Sequence, residues 1–251
     1  MFSVNDSEEV KKSARVIDFH SHVLPALDDG SSSPEMSVEM LRQTYGQKIR
    51  KLVATPHFYP ERMNLDSFLE RRSEAIRKLL PYYNKEEMPT VYVGAEVAYY
   101  PSIGDGEIIR KLCIAGTDTI LIEMPFSRWS GYDIENILKL KRDLGLNVVI
   151  AHIERYMDWQ KKDTLPSLVE NGIRIQSNSE FFLSSKREAM KLLEKGYIHI
   201  LGSDMHNTTT RKQTLEEAKE EIKKRLGEEY IRSVLMNTKP LLEGAVSIEN
   251  L

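Results

Sequence analysis

Cysteine is almost absent from this sequence, and long apolar runs are lacking. Cys113 is the single cysteine among 251 residues, so no internal disulfide can form and a reducing compartment is expected. No stretch is long and apolar enough to span a bilayer, which argues against membrane insertion. Residues 1–12 are polar and charged, unlike the apolar centre of a secretory signal. These absences together favour a cytoplasmic protein.

An excess of positive charge is lacking too. The formal net charge is −3, so we expect no basic surface for the phosphate backbone of a nucleic acid. Neither Gly-x-x-x-x-Gly-Lys nor Gly-x-Gly-x-x-Gly occurs, which argues against the common nucleotide-binding loops. A cysteine phosphatase needs an arginine six residues after its nucleophile, but Thr119 stands six positions after Cys113. Cys113 is therefore predicted to be packed apolar surface.

Strand and helix patterns alternate along the chain. Short β-branched runs predict about seven strands, and amphipathic segments bounded by residues such as Ser33, Pro34 and Gly46 predict the helices between them. This alternation is typical of a parallel barrel or a doubly wound sheet. No internal repeat or interdomain linker is found, so residues 15–251 are predicted to form one domain after an extension of residues 1–14.

Metal-ligating residue types concentrate at the carboxyl ends of the predicted strands. Five of the six histidines and three acidic residues lie there: His20, His22, His57, Glu96, Glu123, His152, Asp204 and His206. In a parallel barrel all strands end on one face, so these side chains are predicted to converge. The sixth histidine, His199, lies inside the last predicted strand and is interpreted as structural.

This set of donors contains imidazoles and carboxylates but no thiolate. Such a combination suits Mn, Fe or Zn in a multinuclear site better than a structural zinc. Two metal ions about 3.5–4 Å apart can share a hydroxide, lower its pKa to about 7 and clamp a phosphoryl group. A carboxylate such as Glu96 would be needed as a bridge between the ions.

Several short motifs together resemble a known family. They are Ile17–Pro25 with Leu27–Gly30, Thr55–His57, Gly94–Val97, Leu121–Glu123, Ala151–Tyr156 and Gly202–Asn207. The set resembles the polymerase-and-histidinol-phosphatase (PHP) superfamily. Within it, the motifs resemble the bacterial protein-tyrosine phosphatases of capsule and exopolysaccharide loci, the CpsB/CapC/YwqE type. The combination of Asp-Asp-Gly, His-Ile-Glu-Arg-Tyr and Ser-Asp-x-His-Asn is specific, whereas the single motifs are not.

The resemblance implies a distorted (β/α)7, TIM-like barrel with a trinuclear site that is usually loaded with manganese. Nine positions match the family's ligands: His20, His22, Asp29, His57, Glu96, Glu123, His152, Asp204 and His206. Motif alignment alone favours Asp29 over Asp28. Arg155 and Arg211 match positions where family members place cations near the substrate phosphate. The family often has prolines after the second arginine, whereas Lys212 and Gln213 follow it here.

The implied reaction is hydrolysis of phosphotyrosine by a metal-activated hydroxide, without a phosphoenzyme. Arg155 would neutralise the phosphate oxygens, and Asp204 or His206 would move protons. Asp18 shares the face of His20 and is a candidate for orienting it. The implied partner is a phosphotyrosine protein, namely a bacterial tyrosine autokinase of polysaccharide synthesis.

Three alternatives stay open on sequence grounds. A PHP phosphatase for a small metabolite such as histidinol phosphate would use the same metals behind a different pocket rim. A metal-dependent amidohydrolase also begins with His-x-His, but it would not need both Glu96 and Glu123. A weakly catalytic regulator that binds a kinase would not need nine metal-competent side chains, so metal content discriminates it. Tyr99, Tyr100 and residues 126–129 are candidates either for an aromatic rim or for ordinary loop packing.

Overall fold

The computed structural model describes residues 16–251, so the predicted extension of residues 1–14 lies outside the described part. Nine short strands are found in it: β1 Asp18–Ser21, β2 Lys51–Ala54, β3 His57–Phe58, β4 Thr90–Val93, β5 Glu96–Ala98, β6 Thr119–Glu123, β7 Asn147–Ile150, β8 Arg174–Asn178 and β9 Ile200–Gly202. Eight α-helices accompany them: α1 Pro34–Gly46, α2 Leu65–Leu79, α3 Gly131–Arg142, α4 Thr164–Glu170, α5 Phe181–Ser184, α6 Lys186–Glu194, α7 Leu215–Leu226 and α8 Glu228–Thr238. Residues 16–251 form a single mixed α/β domain.

All pairings between the named strands are parallel. One sheet has the order β1-β2-β4 and the other the order β3-β5-β6-β7-β8-β9. The sheets curl toward each other, because β1 also meets the chain just after β9: the His22 amide donates to the Met205 carbonyl at 2.9 Å, and the Asp204 amide donates to the His20 carbonyl at 2.8 Å. The result is a curled parallel sheet whose first and last strands are neighbours.

Two of the predicted strands are each split in the structure. Thr55-Pro56 separates β2 from β3, and Gly94-Ala95 separates β4 from β5. Pro56 has no N–H to give to a ladder, while its carbonyl still accepts from the Glu96 amide at 3.0 Å. Where one strand is expected, each of these two regions contains two short strands, so the seven expected strands appear as nine.

Helix boundaries follow local sequence signals. Ser33 caps α1 by accepting from the Met36 amide, and Pro34 occupies the first turn, where its missing N–H costs nothing. A capping box between Ser130 and Asp133 opens α3. Within residues 16–251, no helix has the length and apolar character needed to cross a membrane.

The apolar core lies on both sides of the strands. Inside the curl, buried side chains from the strands and their flanks pack together, among them Phe19, Val53, Leu121, Val149 and Ile200. Larger apolar clusters fill the space between strands and helices. Since the interior is apolar here, the polar residues of the strands gather at the carboxyl ends, where they form the site described next.

Candidate metal centre

The structure brings the nine residues matched to metal ligands to one end of the strands. His20 lies in β1 and His22 just after it, His57 lies in β3, Glu96 opens β5 and Glu123 closes β6. Four others follow strand ends or lie in a connection: Asp29, His152, Asp204 and His206. Seven of the nine are buried, whereas the side chain of His57 is 13% exposed and that of Asp29 is 64% exposed.

Ligand atoms of these residues form three overlapping groups, each within 4.8 Å. One group contains His22, Asp29, His57 and His206; a second contains His20, His22 and Asp204; a third contains His57, Glu96 and Glu123. His22 and His57 each belong to two groups, so the groups are continuous with one another. His152 adjoins the third group, since its Nε2 lies 2.7 Å from Glu96 and 3.5 Å from Glu123.

Hydrogen bonds at Nδ1 orient four of the histidines. The Nδ1 partners are Gln176 Oε1 for His20, Asp28 Oδ2 for His22, the Tyr156 hydroxyl for His152 and the Asp204 carbonyl for His206. The partners of His20, His22 and His206 can only accept, so these three rings donate through Nδ1 and present the Nε2 lone pair on the other side. His152 directs its Nε2 at Glu96 Oε1, 2.7 Å away. These histidines therefore turn Nε2, the nitrogen that can bind a metal ion, toward the shared space.

The Nε2 atoms and carboxylate oxygens are crowded there. Nε2 of His20 and Nε2 of His22 lie 3.1 Å apart, and Oε2 of Glu96 lies 3.2 and 3.3 Å from them. Glu96 Oε2 and His206 Nε2 are buried and have no hydrogen-bond partner among residues 16–251. Lone pairs that face one another without a proton between them need a cation, so this set of imidazoles and carboxylates fits divalent metal ions.

Asp28 and Asp29 are adjacent but have different surroundings. Asp28 accepts from His22 Nδ1 at 2.7 Å, from the Gly30 amide at 3.0 Å and from the His57 amide at 3.0 Å. Burial alone would raise the pKa of Asp28, but the charge of His22 and these hydrogen bonds hold that pKa well below its usual range. Asp29 Oδ1 instead lies 3.4 Å from His57 Nε2 and 3.3 Å from His206 Nε2. Asp29 thus faces the ligand groups, and Asp28 supports His22 from behind.

Burial and neighbouring charge also shift the pKa values of two carboxylates in opposite directions. Burial and the nearby Glu96 charge raise the pKa of Glu123. Burial would also raise the pKa of Asp204, but His20, His22 and Arg155 hold that pKa well below its usual range. Asp204 (φ 53°) and His152 (φ 27°) have backbone angles that are unusual outside glycine. Such strain is common at functional sites.

Two arginines border the site. Arg155 binds Asp204 Oδ2, and Arg211 binds the same oxygen at 2.9 Å while its other terminal nitrogen lies 3.7 Å from Asp29. Their side chains are 34% and 40% exposed, so both guanidinium groups reach solvent. They line a cavity of about 400 Å³ together with Asp204 and Lys212. An anion that enters this cavity from solvent would meet these cations beside Asp204.

A family comparison identifies the chain. The model of the family described as capsular polysaccharide synthesis, CpsB/CapC, matches residues 16–243. The chain belongs to the CpsB/CapC family. The match spans nearly all of the described residues and includes every group that surrounds the candidate metal centre.

Individual relatives support the same assignment. The tyrosine-protein phosphatase YwqE of Bacillus subtilis is 31% identical over 240 residues, which are 90% of this chain and 91% of the relative. The tyrosine-protein phosphatase CpsB of Streptococcus pneumoniae is 28% identical over 244 residues, 88% of this chain and 96% of the relative. Both relatives are matched over nearly their whole length.

Solved structures extend the comparison to the fold. A chain from the crystal structures of YwqE from Bacillus subtilis and CpsB from Streptococcus pneumoniae, described as metal-dependent tyrosine phosphatases, superposes with a TM-score of 0.80 at 29% identity. The match covers 92% of this chain and 96% of that one. A structure described as an amidohydrolase reaches a TM-score of 0.54 at 12% identity, which indicates a shared fold and nothing about its reaction.

In this CpsB/CapC protein the aromatic residues after β5 and β6 divide into two kinds. Tyr99 and Tyr100 pack against the core, and Trp129 is buried and donates to the Pro125 carbonyl at 3.0 Å. Phe126 is 51% exposed and stacks over His152 at 6.3 Å between ring centroids, with an interplanar angle of 15°. Trp159, which the sequence analysis did not single out, meets Phe126 edge-on and is 45% exposed. Only Phe126 and Trp159 from this set form an exposed rim.

Residues outside the ligand set carry much of the site's hydrogen bonding. Asp18 accepts from the Ser203 amide at 2.8 Å, from the Ser203 hydroxyl at 2.6 Å and from Gln213 at 2.7 Å. It therefore ties β1 to the chain after β9. Gln176 and Asn178 were missed at the sequence level. The sequence gives one indication of them: two amide side chains stand two residues apart, and thus on one face, in a short buried strand.

Two residues set aside in the sequence analysis lie away from the ligand groups. His199 Nδ1 accepts from the Ile175 amide at 3.2 Å, so its ring is part of the packing between β8 and β9. Cys113 is buried among apolar side chains of the main core, and burial raises the pKa of its thiol to about 12. A thiol with such a pKa is not a nucleophile near neutral pH.

Proposed function

We propose that this protein is a metal-dependent protein-tyrosine phosphatase. The observation that carries the proposal is the juxtaposition of three overlapping metal-ligand groups with Arg155 and Arg211. Phosphoryl transfer needs little covalent chemistry from a protein, and it depends on positioning and on stabilising negative charge. Metal ions and two guanidinium groups meet that need together.

The metal ions would be held by His20, His22, Asp29, His57, Glu96, Glu123, His152, Asp204 and His206. We propose three ions and name Mn²⁺ as the metal, with iron or zinc as alternatives that suit the same donors. When bound, the ions would supply Lewis-acid stabilisation of the phosphoryl oxygens and activation of the attacking water. Glu96 lies beside four of the histidines and is suited to bridge two ions.

The arginines would bind the phosphate oxygens that the ions leave uncovered. Both pair with Asp204 Oδ2, and their partial exposure would let them turn toward an incoming anion. Arg155 gains charge-assisted hydrogen bonds that strengthen as negative charge builds up on the transferring group. Arg211 lies nearer Asp29 and would hold the phosphate from the other side.

Asp204 and His206 are the proposed groups for proton transfer. His206 Nδ1 donates to the Asp204 carbonyl at 2.9 Å, so Nε2 is the nitrogen of His206 that can exchange a proton or bind a metal ion. Asp204 offers Oδ1 toward His20 and His22 while Oδ2 binds the arginines. Protonation of the leaving phenolate would use whichever of these atoms faces the substrate oxygen.

Phe126 is the proposed contact for the tyrosine ring of the substrate. One face of its ring covers His152, and half of its surface is open to solvent at the edge of the site. Aromatic pairs contribute about 0.5–1.5 kcal/mol beyond their buried area. Phe126→Ala is therefore expected to raise KM for a phosphotyrosine peptide about fivefold with kcat nearly unchanged. An unchanged KM excludes this contact.

The same proposal extends to the architecture. We propose that β2 with β3, and β4 with β5, act as two single interrupted strands, which makes a distorted (β/α)7, TIM-like barrel. Parallel pairing of β1 with the chain after β9 supports closure of that barrel. We assign residues 15–251 to this domain and residues 1–14 to an N-terminal extension.

The proposed physiological substrate is a phosphotyrosine protein of capsule or exopolysaccharide synthesis, namely a bacterial tyrosine kinase. The family's description and the phosphatase relatives support the first part. The kinase and a cytoplasmic location are our further proposal, to which the single buried cysteine conforms.

One comparison of substrates tests the function. We expect Mn²⁺-dependent phosphate release from a phosphotyrosine peptide, abolished by a chelator, and little release from histidinol phosphate under the same conditions. A preference for histidinol phosphate would assign the protein to small-metabolite phosphatases with the same metal site. No release from either substrate would contradict an enzymatic role and favour a kinase-binding regulator.

A further inference from the structure

Strand β8 carries none of the nine proposed metal ligands, yet two of its polar side chains, Gln176 and Asn178, face the site. Gln176 and Asn178 are two residues apart, so both side chains point to the same side of the strand. Gln176 is 0% exposed and Asn178 is 6% exposed. Burying an amide costs free energy unless its donors and acceptor are hydrogen-bonded, so these two side chains need polar partners inside the protein.

The oxygen of the Gln176 amide serves two ligand-bearing residues. Oε1 accepts from the His152 backbone N–H at 2.7 Å and lies 3.3 Å from His20 Nδ1. A backbone N–H can only donate, so the atom facing it must be the amide oxygen. That oxygen in turn requires a proton on His20 Nδ1. The Nε2 of His20 is consequently left with its lone pair directed at Glu96 and His22.

The nitrogen of the same amide continues the chain of hydrogen bonds. Gln176 Nε2 donates to Asn178 Oδ1 at 2.9 Å, and Asn178 Nδ2 donates to Asp204 Oδ2 at 2.9 Å. A backbone donor at one end and a carboxylate at the other determine the direction of every bond in the series. The series links His152, His20 and Asp204 through two side chains.

The neighbouring strand leaves space for this arrangement. A Cβ at Gly202 in β9 would lie 2.9 Å from Gln176 Nε2 and 2.6 Å from the His20 Cβ. Both distances are shorter than real Cβ contacts, so any side chain at this position would displace the amide or the histidine. Glycine therefore fits here because His20 and Gln176 approach the backbone closely.

We infer that Gln176 and Asn178 are positioning residues of the metal centre. Gln176 fixes the proton on His20 Nδ1 and anchors the backbone at His152, and Asn178 orients the carboxylate of Asp204. Hydrogen bonds of this kind typically contribute 10- to 100-fold to metal affinity. The inference rests on the metal binding of the proposed function, and it assigns a role to a strand without ligands.

Mn²⁺ titration of the metal-free full-length protein tests the inference, with bound Mn²⁺ per chain measured after equilibrium dialysis. Gln176→Leu removes the acceptor and is expected to weaken Mn²⁺ binding by about 10- to 100-fold. Gln176→Glu keeps an acceptor for both His20 and His152, and we expect it to bind more tightly than the leucine variant. Asn178→Ala removes the hydrogen bond to Asp204 and the acceptor of Gln176 Nε2, but leaves Gln176 Oε1 to serve His20 and His152. It should release one ion while the others stay bound.

A matched control is Gln160→Leu. Its amide joins two backbone groups, the Trp129 N–H and the Ser127 carbonyl, and it makes no hydrogen bond to any of the proposed ligands. This variant is expected to bind Mn²⁺ like the wild type. If the Gln176 and Asn178 changes alter only the urea stability of the metal-free protein and leave Mn²⁺ affinity and stoichiometry unchanged, the two residues are structural and the inference is wrong.

Two further outcomes are separable. If circular dichroism shows that Gln176→Leu does not fold, the inference is tested by comparing Mn²⁺ binding of Asn178→Ala with that of the wild type. Wild-type binding by Asn178→Ala would overturn the role of Asn178 and of the hydrogen-bond series that runs through it. A wild-type protein that binds no Mn²⁺ overturns the metal-dependent function itself. Metal binding by the wild type with no effect of either strand residue overturns only the present inference.

Discussion

Asp28 and Asp29 illustrate how much of the site is decided one atom at a time. Both are carboxylates in one turn, but Asp28 is enclosed by three donors and Asp29 is largely exposed beside His57 and His206. An acceptor behind a histidine sets which nitrogen carries the proton, whereas an exposed carboxylate near lone pairs can bind a cation. Substitution of Asp28 should therefore affect mainly stability, and substitution of Asp29 mainly metal binding.

Replacing each aspartate by asparagine separates these roles. Asp28→Asn leaves one oxygen for three donors, so we expect the metal-free protein to lose about 1–3 kcal/mol of unfolding free energy. Asp29→Asn removes an exposed charge and should change that free energy by less than about 0.5 kcal/mol while weakening Mn²⁺ binding. Urea unfolding of metal-free proteins measures the difference. Equal stability losses in the two variants would contradict the distinction.

Arg155 is the residue whose loss should affect catalysis most directly. Arg155→Ala is expected to lower kcat/KM for a phosphotyrosine peptide about 100-fold, because a donor aimed at developing charge is removed. The matched control is the exposed Arg142 at the end of α3. It also pairs with two carboxylates, those of Glu135 and Asp143. Arg142→Ala should retain wild-type kcat/KM. Wild-type turnover by Arg155→Ala would remove this arginine from the reaction.

At the scale of elements, His199 belongs to the pairing of β8 with β9 rather than to the site. Its Nδ1 accepts from the Ile175 amide, which requires a neutral ring with the proton on Nε2. Burial, followed by the positive charge of Arg174, lowers the pKa of His199 to about 4. The ordinary pKa of histidine is about 6.5. Between about pH 4 and pH 6.5, His199 therefore binds a proton in the unfolded chain but not in the folded protein.

This difference predicts acid sensitivity with a definite sign. Because the pKa of His199 is lower in the folded protein, the free energy of unfolding falls as the pH falls below about 6.5. His199 alone should lower that free energy by about 2 kcal/mol between pH 7 and pH 5. His199→Asn keeps an acceptor near the Nδ1 position and does not titrate, so its stability should fall less over the same range. Urea unfolding of the metal-free wild type and variant at both pH values measures this. Parallel losses would show that His199 does not contribute.

Interrupted strands are the other feature at this scale. β2 and β3 are separated by Thr55-Pro56, and β4 and β5 by Gly94-Ala95, so the second segments His57–Phe58 and Glu96–Ala98 can take a different direction from the first. His57 and Glu96 stand at the beginning of those segments and pair with each other in register. The interruptions therefore place an imidazole and a carboxylate side by side, where Nδ1 and Oε2 lie 2.9 Å apart.

For the whole molecule, ligand groups drawn from both ends of the chain couple metal binding to folding. His20 lies in the first described strand and His22 just after it, whereas Asp204 and His206 follow the last strand. The unfolded chain cannot gather these residues, so metal ions bind the folded state preferentially. Metal at 100 times its Kd should add about 2.7 kcal/mol per site to the unfolding free energy.

We therefore expect Mn²⁺ to raise the Tm of the metal-free protein and a chelator to reverse the rise. His20→Ala/His22→Ala removes two ligands, of which His22 belongs to two groups, and should abolish both the rise in Tm and phosphatase turnover while the protein stays folded. His199→Asn, which is outside the groups, should keep the full rise. A double variant that still gains stability with Mn²⁺ or retains turnover would contradict the assignment of these histidines.

The fold class, the convergence of the metal-ligating residues and the family can all be predicted from the sequence. Alternating strand and helix patterns with short connections predict a parallel α/β domain, because apolar runs of that length can bury themselves only in a covered sheet. Histidine and carboxylate residues at the strand ends predict convergence, because parallel strands share one carboxyl edge. The motifs add the family, which the match over residues 16–243 confirms.

Other features depend on distances between segments far apart in the chain. Gln176 meets His20 across 156 positions, and Asp18 meets Ser203 across 185. No local propensity encodes such pairs, since β-strand patterns specify which face a side chain occupies but not which atom it reaches. The sequence by itself thus determined the fold class, the family and the kinds of donor at the site. Only the tertiary structure decided which nitrogen of each histidine faces the centre, because hydrogen-bond partners from other strands set the proton.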